Sequence, residues 1–206
     1  PRPPLAAPPV QVARANAPVN PPPAVGVPAQ PIKLRKANDA ARGRALHLVA
    51  VGDEDFRAQK YVEAASRYRR AAQGAPDLAE AHFRHGVTEI ALARYESAAK
   101  SCKKGLEADP GWIAAGFRLA NLYGPNQAAK TAHLERLAQE AAARPGDADL
   151  RFLIGVELYL DGEYARARKF FEQAAALHAG DDAHLLAFLR ELDRRAPEPR
   201  DDAVDL

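Results

Sequence analysis

A fixed interval of 34 residues constrains this chain more than any other feature. Adding 34 to Gly52 gives Gly86, to Tyr61 gives Tyr95, to Ala64 gives Ala98, and to Pro76 gives Pro110. Self-similarity at a constant period of this size means one supersecondary unit used repeatedly, each copy covering its neighbour's apolar face. Within a copy the apolar residues follow helical spacing: Leu48, Val51, Gly52 and Phe56, then Ala64, Tyr68 and Ala71. Proline after the second run ends it, because proline donates no backbone N–H and clashes with the preceding turn. The unit is therefore a helical hairpin. Alanine is abundant and threonine occurs only at Thr88 and Thr131, so the reading is all-α.

The clearest copy is Ala148–Ala179, two amphipathic helices joined at Asp161-Gly162-Glu163. Tyr164, Ala167, Phe171 and Ala174 keep the spacing of Tyr61, Ala64, Tyr68 and Ala71. The copy before it is irregular. Leu119, Ala120 and Tyr123 hold the register, with Ala120 where glycine stood, and Gly124-Pro125-Asn126 then interrupts the first helix. Leu134, Leu137 and Ala141 mark a longer second helix closed by Pro145-Gly146. Pro110 and Pro145 are 35 apart instead of 34, so this unit slips by one residue and predicts a local change in curvature. After Gly180-Asp181-Asp182, the run Leu185, Leu186, Phe188, Leu189 and Leu192 predicts a last helix over 183–195, covering the end of the array.

The glycine, the paired alanines, the A-x3-aromatic spacing and the closing proline, all at a 34-residue period, resemble the tetratricopeptide repeat (TPR). The resemblance covers about residues 45–195 and is strongest in the first, second and fourth units. It implies a right-handed α-solenoid of about four hairpins, at 45–78, 79–112, 113–147 and 148–182, with a capping helix at 183–195. In this family the first helices line a concave groove for protein partners. Carried over by position, the groove residues are Val49 and Phe56 of the first unit and Phe83, Val87 and Ile90 of the second. The third gives Phe117 and Asn121, and the fourth gives Phe152, Val156 and Tyr159. Such a surface is apolar, with an aromatic residue from every unit, and suits an apolar helix or extended segment. The family's polar clamp for acidic chaperone tails is not matched, since Val49 and Asp53 stand where it needs lysine and asparagine. The implied activity is that of a non-enzymatic adaptor or scaffold.

The ends read differently. Residues 1–31 carry 11 of the 17 prolines and only Arg2 and Arg14 as charges, an extended arm or linker that can also dock into a neighbour's groove. That leaves an alternative function, a structural subunit of a larger assembly held through the arm. Residues 32–44 form a basic lead-in, with Asn38 or Asp39 as the helix cap, and 196–206 a flexible tail. The net charge of +2 lacks the basic excess of a nucleic-acid binder, and no apolar run is long enough to span a membrane. The chain contains no methionine, and with its Pro-rich lead this favours a processed bacterial envelope or periplasmic protein.

No phosphate-binding glycine loop is present, because the glycines stand singly inside helical patterns. Cys102 takes the aromatic position of its unit and reads as a buried small hydrophobe. Ser66, Ser97 and Ser101 are expected to lack a histidine base with an orienting third group. His82 and His85 share a helix face, with Glu89 the one further ligand type nearby, and read as packing residues. His178, Asp181, Asp182 and His184 read as turn and cap residues. No metal, cofactor or catalytic residue is predicted.

Overall fold

The computed structural model describes residues 36–177, 180 and 182–195. The Pro-rich arm at 1–31, the start of the basic lead-in, His178, Asp181 and the tail at 196–206 lie outside the described residues. All regular structure among those described is helical. α1 spans Asp39–Arg57, running through residue 45, where the sequence reading placed the first repeat's start. Asn38 caps it, its side-chain oxygen accepting from the Ala41 N–H at 2.8 Å. α2 is Tyr61–Gly74, α3 Ala79–Ala91 and α4 Tyr95–Ala108. A 3-10 segment at Pro110–Ala115 and a short α5, Leu119–Tyr123, precede the long α6, Gln127–Ala143. α7 (Ala148–Asp161), α8 (Tyr164–Leu177) and α9 (Ala183–Arg195) complete the order.

The tightest helix pairs are α1 with α2, α3 with α4 and α7 with α8. Each pair closes at the same point. A Cβ on Gly52 would lie 2.7 Å from the Tyr68 ring, one on Gly86 2.5 Å from Cys102 Sγ, and one on Gly155 2.6 Å from the Phe171 ring. Such distances are below any van der Waals contact, so glycine is the residue that permits these crossings. Tyr68, Cys102 and Phe171 occupy one repeat position and are all fully buried. Ala64, Ala98 and Ala167 are likewise fully buried on the partner helix.

The hairpins form an α-solenoid-like array in which α2 packs on α3, and α4 packs on α7. The sequence register leads one to expect the third unit stacked between the second and fourth. Instead α7 follows α4 directly, tied by Lys103 Nζ to Asp149 Oδ1 at 2.6 Å, and residues 110–147 are set across the array. The physical cause is the break at Gly124, whose φ of 56° and ψ of −130° end α5 after five residues. A helix that short cannot present a full face to α4. α9 packs against α8 and covers the end of the array, its Phe188 ring stacked on Phe171 with centroids 4.6 Å apart.

Candidate functional site

The face built by the first helix of each pair, α1, α3 and α7, is where the sequence reading placed a partner groove. Val49, Phe56, Phe83, Val87, Ile90, Phe152, Val156 and Tyr159 all belong to the buried core. Phe117 is half-buried and Asn121 exposed. An open apolar strip along these positions is therefore not what this conformation presents. Nine of the ten lie on α1, α3, α5 or α7, Phe117 lies in the coil before α5, and eight are buried.

The cover is residues 110–147, the irregular unit with the 3-10 segment that leads into it, together with α9. Trp112 stacks on Phe83 at 4.3 Å with the rings 12° from parallel. Tyr123 meets Phe56 edge-on at 4.9 Å, and the Tyr159 hydroxyl donates to the Ile113 carbonyl at 2.9 Å. Phe188 of α9 packs on Phe152 and Tyr159 at 6.1 and 5.0 Å. Burying aromatic side chains of this size is worth roughly 1.5–3 kcal/mol each, which favours covering such a face over leaving it wet. Polar contacts fix the position. Arg57 Nη2 donates to the Asn121 carbonyl at 3.1 Å, Arg136 Nη2 to the Ala91 carbonyl at 2.5 Å, and Lys130 Nζ to Asp161 at 2.6 Å. Each of these joins the irregular unit to the C-terminal end of α1, α3 or α7.

Two charged groups beneath this cover escaped the sequence reading. Arg84, 8% exposed, donates from Nε to Asp53 Oδ1 at 2.8 Å and from Nη1 to Glu80 at 2.5 Å. The same Asp53 oxygen accepts from the Tyr68 hydroxyl at 2.7 Å. The Phe117 ring closes over the guanidinium at 4.7 Å, so the covering segment completes the arginine's surroundings. Glu157 of α7 is 1% exposed, and among the described residues neither carboxyl oxygen has a hydrogen-bond partner. Burial pushes its pKa up to about 8, the Asp161 charge adds to the rise, and Lys130 opposes it. At neutral pH this carboxyl is mostly protonated. Its sequence signal was a single acid inside the apolar run Phe152–Leu160.

On the opposite side of α3 the structure corrects the reading of the serines. Ser101 Oγ is 2.9 Å from His85 Nδ1, and His85 Nε2 lies 3.4 Å from Glu89. A hydroxyl, an imidazole and a carboxylate thus stand in line, brought together by the close approach of α3 and α4 that sequence distance hid. The Ser101 hydroxyl also donates to the Ser97 carbonyl one turn back at 2.8 Å. Ser101 lies within α4, where backbone N–H groups are committed to the helix ladder and cannot receive an oxyanion. Cys102 is fully buried and its thiol pKa is pushed upward by desolvation. Among the described residues no group of metal-ligating side chains comes together, and no helix is long and apolar enough to cross a membrane.

No family model matches the chain. Over 72 residues it is 39% identical to sperm-associated antigen 1 of Mus musculus, a stretch that is 35% of this chain and 8% of the mouse protein. Among solved structures, the MamA RS-1 ArsTM double mutant resembles it with a TM-score of 0.33 and 19% identity, over 76% of this chain and 98% of that one.

Proposed function

We propose that this chain is a non-enzymatic protein-interaction scaffold whose α1–α3–α7 face receives an apolar, aromatic-bearing segment of a partner. The observation that carries this reading is the occupant already there. Residues 110–123 lie on that face as a 3-10 segment and a short helix with aromatic anchors, much as a helix or extended peptide fills a groove. A face that accepts Trp112 and Tyr123 in cis has the shape and chemistry to accept equivalent side chains in trans. The 34-residue register supports the same class, since tetratricopeptide-like arrays present their first helices to protein partners. On this reading the irregular unit is a built-in competitor that a partner displaces.

Lys130→Glu tests it. The substitution turns the Lys130–Asp161 pair, both side chains about one-fifth exposed, into a like-charge contact that loosens the cover while leaving the paired hairpins intact. Affinity capture followed by mass spectrometry is expected to recover a specific partner several-fold more strongly with Lys130→Glu than with the unaltered chain. Equal capture by the two would remove the docking role from this face.

A further inference from the structure

The cleft between α2 and α4 has a chemistry that the scaffold reading does not use. It encloses about 450 Å3. Arg69 stands on one wall, Lys100 and Lys104 on the other, His82 and His85 of α3 lie between them, and Glu107 is the one acid in the lining. The second helices α2 and α4 are held apart by α3, which packs on both and forms the floor of the gap. Several arginines elsewhere pair with carboxylates, Arg42 with Asp77, Arg67 with Asp55, Arg144 with Glu140 and Arg168 with Asp193, whereas Arg57 and Arg136 donate to backbone carbonyls. Among the described residues, Arg69, Lys100 and Lys104 have no carboxylate partner within salt-bridge distance. Three exposed cations thus line one cavity against a single acid, Glu107, among the described residues.

The floor, in contrast, is fixed. His82 Nε2 hydrogen-bonds the Pro76 carbonyl at 3.0 Å, and His85 is held by Ser101 and faced by Glu89. Desolvation keeps both imidazoles below the usual histidine pKa, with Lys104 lowering His82 further and Arg69 lowering His85. Glu107 pulls the other way on His82, and Glu89 on His85, while Arg94 and His82 add to the lowering at His85. The cations' field therefore reaches the floor. An anion of charge −2 placed there would meet the cations and draw protons onto the imidazoles, strengthening its own site.

We propose that this cleft binds a phosphate monoester, with Arg69, Lys100 and Lys104 as charge partners and the Ser97 hydroxyl on its wall. Among the described residues no Phe, Tyr or Trp lines the cleft, and none of the exposed large apolar residues Leu46, Val62, Leu177 and Leu186 adjoins it to enter a membrane. The shared chemistry is a phosphoryl dianion, carried by a phosphorylated side chain or by a small phosphorylated metabolite. The inference is independent of docking on the α1–α3–α7 face.

The test uses the full chain and the proton resonances of its histidine rings, with exposed His47 as internal control. Titration with inorganic phosphate at constant ionic strength is expected to shift His82 and His85 saturably and raise both pKa values, leaving His47 unmoved. Lys100→Ala combined with Lys104→Ala, two exposed positions, should weaken binding about tenfold or more. A phosphoserine peptide and glucose 6-phosphate then distinguish the sources, the tighter of the two naming the ligand class. No saturable shift, an equal shift with chloride, or unchanged affinity in the double variant would overturn the site.

Discussion

At the scale of single residues, the polar groups on the covered face carry most of the consequence. Glu157 keeps its proton up to about pH 8 in the folded chain, against an ordinary value of 4.5. Between those values the native state binds more protons than the unfolded state, so this residue makes stability fall as pH rises from about 4.5 to 8 and adds no slope above. His133 acts in the opposite sense. Its pKa is pushed down to about 4, mainly by burial, so its contribution is lost as pH falls below the usual histidine range. Glu157→Gln preserves shape and removes only the first slope. The variant is expected to match the unaltered protein near pH 4.5 and to exceed it at pH 9 by on the order of a few kcal/mol. Thermal denaturation across that range reads the difference directly; a difference that does not grow with pH would show that the carboxyl ionises in place at little cost.

At the scale of elements, the three regular hairpins share a turn as well as a crossing. Gln59, Ala93 and Gly162 all have positive φ, 60°, 57° and 90°, and stand at one repeat position. At each, the following N–H reaches back over the turn, as Arg94 to the Glu89 carbonyl at 2.8 Å and Glu163 to the Leu158 carbonyl at 2.9 Å. Only the last copy uses glycine, so the other two hold a left-handed conformation that costs a side-chain-bearing residue roughly 1 kcal/mol. Ala93→Gly should therefore stabilise the chain by about 0.5–1 kcal/mol and Gly162→Ala destabilise it by about 1 kcal/mol. The nearest side-chain atom to a Cβ at Gly162 is 3.9 Å away, so backbone strain and not a clash is measured. Urea denaturation of both variants shifting the same way would refute the assignment. What the sequence made legible follows the same division. Gly52, Gly86 and Gly155 announced the crossings because a period repeats a local steric demand. The interruption at Gly124-Pro125 was visible as a break, but its outcome was not, since nothing local tells that α7 would pack on α4. Of the ten expected groove positions, all but Asn121 are apolar and all but Phe117 lie on α1, α3, α5 or α7. Their cover was not legible, because Trp112 and Tyr123 reach Phe83 and Phe56 across 29 and 67 residues, a distance at which periodicity carries no information.

At the scale of the whole molecule, the array and its cover are held by unequal means. The paired helices interlock through glycine crossings and fully buried aromatics. The covering unit, residues 110–147, buries Ile113, Leu119, Leu122, Tyr123, His133, Leu137 and Ala141, a smaller share than α7, which buries ten of its fourteen residues. The unit's polar ties are to the C-terminal ends of α1, α3 and α7: Arg57 to Asn121, Arg136 to Ala91 and Lys130 to Asp161. A segment with a smaller buried share opens at a lower free energy than the structure it rests on. The chain's one tryptophan, Trp112, lies in this unit, stacked on Phe83. Its fluorescence therefore reports docking, while far-UV ellipticity reports mainly the helices of the array. In urea the fluorescence transition should come first, with a red shift as Trp112 leaves Phe83, and the ellipticity transition later. Lys130→Glu should move the first transition to lower urea and the second by much less, because Asp161 loses its tie to α6 but the α7–α8 crossing at Gly155 is untouched. If the two probes instead trace a single transition, and Lys130→Glu shifts both equally, cover and array unfold as one unit. A partner would then have to bind the closed molecule instead of displacing the segment that closes it.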